Sequence, residues 1–199
     1  LGTSTTLASA TVAATALSDG NSVTLTGSEN ASVTLQLGDL AAGTYAGNLT
    51  VTASGSGTNS IVTNSGADTI TGGAGDDNVN GKAGDDVFLI AAASDFTSND
   101  VITGGSGNDT IRFTSTTGGE TLTLTTNITD SDNTMAIVAS DASGDTTGTT
   151  SLNLDASASD LSGGVSLTGN AGANQLTGTA NADQLDGGAG DDILIFSSA

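Results

Sequence analysis

Apolar side chains recur at every second position in short runs along the first part of this chain: Val23 and Leu25, then Val33, Leu35 and Leu37, then Leu49 and Val51. Gly, Asn and Asp separate the runs. A period of two with polar residues between marks strands that bury one face. Residues 1–53 therefore read as a strand-rich N-terminal segment, with the strands in Ser22–Ala53, extended chain over Leu1–Gly20 and a short loop within Gly38–Gly47. From Ser54 the spacing changes to a nine-residue frame: Asn59, Asp68, Asp77 and Asp86 stand at position six, and Ile61, Ile70, Val79 and Phe88 at position eight. A five-residue insertion, Ile90–Ser94, is expected to loop out, after which the frame resumes with Asp100 and Ile102, then Asp109 and Ile111.

Residues 113–168 lose the frame but keep the alternation, read as Leu122 and Leu124, Ala136 and Val138, Leu152 and Leu154. This stretch is expected to be a Thr-rich β-solenoid or sandwich segment. From Gly169 the frame returns, with Asn174 and Leu176, Asp183 and Leu185, Asp192 and Leu194, so 169–199 forms a second repeat block. No segment has helical periodicity. The predicted class is all-β, a solenoid flanked by strand-rich segments.

Nine residues make one short strand and one turn, so the chain changes side at every repeat and returns to the same side after two. Turns on one side then stack at the strand spacing of about 4.8 Å. One column of position-six residues is expected to be Asn59, Asp77 and Asp100, and the other Asp68, Asp86 and Asp109. In the last block Asp192 would stack on Asn174 and Asp183 on Val165, which offers no paired carboxylates. The chain is accordingly read as a piece of a longer protein, or as one completed by a neighbouring copy.

Composition narrows the chemistry. The net charge is −20, and the acidic residues are 20 Asp and 2 Glu against Lys82 and Arg112. Asp so far in excess of Glu suits a short carboxylate that must fit a tight turn. With no basic patch, nucleic acid is excluded as a partner. His and Cys are absent, which removes disulfides, thiolate metal sites and the commonest general base. No apolar run is long enough for a membrane-spanning helix, so no membrane insertion is expected. Only four Phe and one Tyr are present, too few for a thick core but enough for a thin solenoid lined by Ile, Leu, Val, Ala and Thr.

The most specific stretch is Gly72–Leu89, which reads GGAGDDNVN and then GKAGDDVFL; the unit returns at Gly104–Arg112 as GGSGNDTIR and at Gly187–Ile195 as GGAGDDILI. Glycines permit a tight turn, and turn carbonyls with an Asp carboxylate are hard oxygen ligands for a cation. The unit resembles the calcium-binding nonapeptide of the RTX (repeats-in-toxin) family, also called the hemolysin-type calcium-binding repeat. The resemblance covers Ser54–Arg112 and Gly169–Ile195, under half of the chain. It implies a right-handed parallel β-roll that binds several Ca²⁺ ions. It also implies type I secretion, which suits a chain whose Leu1–Leu17 carries no basic signal-peptide region. The metal ligands are expected from Asn59, Asp68, Asp77, Asp86, Asp100, Asp109, Asp183 and Asp192. Carbonyls near Gly72, Gly75, Gly81, Gly84, Gly104, Gly107, Gly187 and Gly190 complete the set. Two carboxylates about 5 Å apart repel by roughly 3 kcal/mol at an effective dielectric of 20, so the metal-free column is expected to oppose folding.

Other motifs carry less. Asp76, Asp85 and Asp191, at position five, are read as solvated or as ligating through their backbone carbonyls. Asp130-Ser-Asp132 lacks the Gly and Glu of an EF-hand loop and reads as a plain turn. The Asn-x-Ser/Thr sequences at Asn30, Asn48, Asn108 and Asn127 are expected by chance in so Ser/Thr-rich a chain. The Asp-Asp pairs lack the aromatic platform of a glycosidase dyad, so no enzyme activity is expected. The low-complexity style is similar to RTX-type surface-layer proteins. That implies a calcium-dependent structural module of a secreted bacterial surface protein, which folds on calcium and self-associates laterally into a lattice. An RTX adhesin stalk, or the accessory secretion and folding domain of an RTX protease or lipase, are the alternatives.

Overall fold

The computed structural model describes residues 21–26, 34–36, 47–131 and 135–197. Leu1–Gly20, most of the Gly38–Gly47 loop and Asp132 lie outside them. Among the described residues the chain is nearly all strand, joined by turns, with one short 3-10 turn at Ala93–Asp95. The strands wind into a parallel β-roll with two walls.

The first wall is one sheet of eight parallel strands: β1 (Asn21–Thr26), β3 (Leu49–Ser54), β5 (Thr69–Thr71), β7 (Val87–Ile90), β9 (Thr110–Phe113), β12 (Ala136–Ala139), β14 (Ser166–Thr168) and β16 (Gln184–Asp186). It passes through all four stretches delimited from the sequence. The second wall is divided. Its first part is a five-stranded sheet of β2 (Thr34–Gln36), β4 (Ser60–Val62), β6 (Asn78–Ala83), β8 (Val101–Ser106) and β11 (Ile128–Thr129). Its second part is a four-stranded sheet of β10 (Thr121–Thr123), β13 (Asn153–Asp155), β15 (Gln175–Thr177) and β17 (Ile193–Ile195). Both β10 and β11 lie on the coil between β9 and β12. That coil starts the second sheet before it closes the first.

Register explains the core. Along the first wall Val51, Ile70, Phe88, Ile111, Ile137, Leu167 and Leu185 stack as direct partners. Facing them are Ile61, Val79, Ile102 and Ile128 in one sheet and Leu122, Leu154, Leu176 and Leu194 in the other. Strands of two to six residues suffice because each coil contributes one or two inward side chains per wall. Position eight is buried at every repeat up to Leu176. Leu185 is half-buried and Leu194 is 41 % exposed, because β17 is the last strand of its sheet.

The structure corrects two expectations. In β12 the inward residues are Ile137 and Ala139, both fully buried, while Ala136 and Val138 are only half-buried. Four apolar residues in a row hide the phase, and pairing of Ile137 with Ile111 and Leu167 decides it. The insertion also does not simply loop out. Ile90 ends β7 opposite Phe113, and Phe96, just beyond the 3-10 turn, is buried. Apolar residues at both ends of the extra chain hold it against the roll.

Among the described residues no helix is long and apolar enough to cross a membrane, a statement that does not extend to strands.

The phase of β12 is testable. Ile137→Ala should destabilise the roll by about 3 kcal/mol, as expected for a large buried side chain. Val138→Ala should cost less than about 1 kcal/mol. Chemical denaturation in saturating calcium measures both, and equal costs would contradict the register.

Candidate metal centre

Each position-six residue stands just before a strand, where the turn hands the chain to a wall. Parallel pairing of successive coils therefore stacks these residues. The two columns form as the spacing predicts. In one, the Asp86 carboxylate accepts the backbone N–H of Asp68 at 2.8 Å, and the Asp109 carboxylate accepts that of Asp86 at 2.9 Å. The first link spans 18 residues and the second 23, so the insertion leaves the stacking intact. In the other, Asp77 accepts from Asn59 N–H at 2.8 Å, and Asp100 accepts from Asp77 N–H at 2.6 Å. The Asn59 side-chain amide also donates to Asp77 and to the carbonyls of Gly57 and Gly72.

The carboxylates are thus not bare charges facing one another. One oxygen of each is tied to the coil before it. In Asp86 the second oxygen is buried with no hydrogen-bond partner. Asn59, Asp68, Asp77, Asp86, Asp100 and Asp109 are all buried, whereas Asp183 and Asp192 are half-buried. These last two bond to Val165 N–H and Asn174 N–H, each at 2.9 Å, as the spacing requires.

Burial dominates the electrostatics. It pushes Asp86 up to about 8, helped by the charges of Asp68, Asp109 and Asp85 and opposed by the Asp68 N–H bond. It pushes Asp77 up to about 7, with smaller contributions from Asp100 and Asp76. Asp68 is raised for the same first reason. Removal from water outweighs repulsion down the column, a contribution the sequence reading did not weigh.

The glycines fit this geometry in two ways. At position one, Gly72, Gly81, Gly104 and Gly187 lie against the carboxylate of their own repeat; a Cβ on Gly72 would sit 2.5 Å from Asp77 Oδ2. At position four, Gly75 and Gly84 have φ of 115° and 117°, and a Cβ on Gly75 would meet the carbonyls of Ser56 and Gly57 at 2.7 Å. Gly107 and Gly190 repeat this pattern. Successive turns therefore nest with backbone carbonyls and carboxylates packed together.

Among the described residues no three acidic side chains gather as a metal-holding group, so a cation here needs carbonyl oxygens beside the carboxylates. The donors present are all hard oxygens, and the unanswered oxygen of Asp86 is buried among them. That donor set fits Ca²⁺. Asp68 with Asp86, Asp86 with Asp109, and Asp77 with Asp100 would hold it as carboxylate pairs, with turn carbonyls between.

Position five behaves as read, outside the column. Asp76 accepts bonds from Thr97 and Asn99 side chains, and Asp85 from Asn108 N–H. Sequence reasoning passed over position two, where Gly73, Gly105 and Gly188 have positive φ and Lys82, at φ 77°, is the exception among the described non-glycine residues. The second glycine of the motif was the available signal. It also passed over Asp95, at position one where other repeats carry glycine. Burial raises Asp95, with Glu120 and Asp100 adding to it. The Asp100 carboxylate in that coil caps Thr97 N–H.

The family profile described as RTX calcium-binding nonapeptide repeat (4 copies) matches residues 54–88, 97–113 and 166–198. No curated protein and no solved structure matches the chain. These three stretches, under half of the chain, are similar to RTX calcium-binding repeats, and the parallel β-roll is the fold such repeats imply.

Two outcomes are expected. Asp77→Ala and Asp86→Ala should each weaken calcium-driven folding, measured as the calcium concentration at half-folding, more than Asp145→Ala, which alters an exposed turn; equal effects would refute the columns. The second concerns pH. Because the folded, metal-free columns hold protons up to about 7 and 8 while unfolded Asp titrates near ~3.9, the folded chain binds more protons between those limits. Its metal-free stability therefore falls as pH rises from about 4 to 8. Calcium needs the ionised carboxylates, so half-saturation should require more calcium at pH 5 than at pH 8. Unfolding midpoints in chelator that rise with pH over this range would contradict the assignment.

Proposed function

We propose that this chain is a calcium-dependent structural module of a secreted bacterial cell-surface protein of the surface-layer type, in which calcium binding drives folding and lateral assembly. The observation that carries the reading is the buried, unanswered carboxylate oxygen of Asp86 in a column of stacked aspartates. A bound calcium ion supplies the positive charge that lets such carboxylates stay ionised away from water. The residues do the rest: the N–H bonds fix the carboxylates in register, and the nested turns keep water out. Because this arrangement exists only in the coiled chain, affinity for the ion adds to the stability of the fold.

RTX repeats are typical of secreted proteins, which supports an extracellular setting where calcium is plentiful. Lateral assembly is supported by the low-complexity Thr, Ala, Gly and Asp-rich composition. The module is read as non-catalytic, since a chain without His or Cys lacks the commonest general base and any thiolate nucleophile. An adhesin stalk is the second reading, favoured by the unbroken eight-stranded wall. An accessory domain of an RTX protease or lipase would require a catalytic sequence elsewhere in the parent protein.

Calcium titrated to millimolar levels into the chelated protein should raise the β-sheet circular dichroism signal, and electron microscopy of the product should reveal ordered two-dimensional arrays. Full structure in chelator would sink the calcium mechanism. Separate, unassociated rods in calcium would sink the lattice and leave the stalk.

A further inference from the structure

The residues that continue the acidic columns through the middle of the roll are apolar. On the first wall Thr110, Ala136, Ser166 and Gln184 are in register, so the residues before them form one column. That column runs Asp68, Asp86, Asp109, Met135, Val165, Asp183. The bonds from Ala136 N–H to the Asp109 carbonyl and from Gln184 N–H to the Val165 carbonyl hold it at 2.9 Å each. Along the second part of the other wall the matching column runs Glu120, Leu152, Asn174, Asp192, with Asn153 N–H on the Glu120 carbonyl and Ile193 N–H on the Asn174 carbonyl. Met135, Leu152 and Val165 are all buried. From Asp109 to Asp192 neither column places two carboxylates in adjacent coils.

The core changes in step. Between Leu122 and Leu167 twelve hydrophobic side chains are buried, as many as between Leu49 and Phe113. The earlier span also buries five column aspartates, while among the described residues of the later one only Asp130 is a buried carboxylate. The coils from β10 to β14 thus carry the same apolar support without the charge that opposes metal-free folding.

We infer that the coils of residues 121–168 form a calcium-independent section of the roll, which stays folded when the ion is withdrawn and presents β12 as a template on which the acidic coils of 60–112 rewind. This rests on the calcium reading above. Because each coil touches only its neighbours, one section can remain wound while the next unwinds.

Hydrogen–deuterium exchange of the full chain, in excess chelator and in excess calcium, tests this. In chelator, amides of 121–168 should keep protection on the order of 100-fold or more, while those of 60–112 exchange as an unfolded chain does; in calcium both should be protected. Loss of protection across 121–168 in chelator, in parallel with 60–112, would overturn the inference and leave the calcium reading standing. Protection of 60–112 in chelator would overturn both. Met135→Asp should make protection of 121–168 depend on calcium by extending the column beyond Asp109, and Met135→Leu should leave it independent. If Met135→Asp leaves chelator protection unchanged, the apolar column is not what frees this section from the ion.

Discussion

The roll depends on burying a file of carboxylates beside one another. Each aspartate of the file gives one oxygen to the N–H of the coil before it, and that bond sets the stacking. The other oxygen of Asp86 is left in a dry environment with no donor. An unpaired charge out of water is costly whatever stands next to it, which is why burial leads repulsion in raising Asp86 and Asp77. Proton or cation is then the choice. Acid supplies the first, and a bound cation such as calcium would supply the second, with the carboxylates ionised.

The same constraint accounts for the glycines. The first glycine of a repeat leaves room for the carboxylate of its own turn, and the fourth residue turns the backbone left-handed against the carbonyls of the preceding coil. Lys82 shows what is lost elsewhere, holding a left-handed backbone at a strain of about 1 kcal/mol that glycine would not carry.

Much of this was legible in the sequence, because a nine-residue period ties chemistry to position. Asn59, Asp68, Asp77, Asp86, Asp100 and Asp109 fall in the two predicted files, and Asp183 and Asp192 meet Val165 and Asn174 as the count requires. Where the period lapses, so does legibility. The run Ala136–Ala139 offers no polar residue to mark its outer face, and only pairing with Ile111 reveals the phase. Phe96 belongs to the core through a turn that follows no repeat. Met135 escaped as a column member because its turn differs in length from the nonapeptide. The order of burial over repulsion was hidden too, since spacing yields separations but not access to water.

The division of the second wall between β10 and β11 has a mechanical consequence. Strands in one sheet share hydrogen bonds from coil to coil, and these resist stretching along the axis. The first wall has such bonds at every step, whereas the second has a seam at the coil joining β9 to β12. A rod with one continuous side and one jointed side has its lowest flexural stiffness at the joint, with the intact side acting as the hinge leaf. The roll is therefore two stiff lengths coupled by a directional elbow, whose plane of easy bending is set by which wall carries the seam.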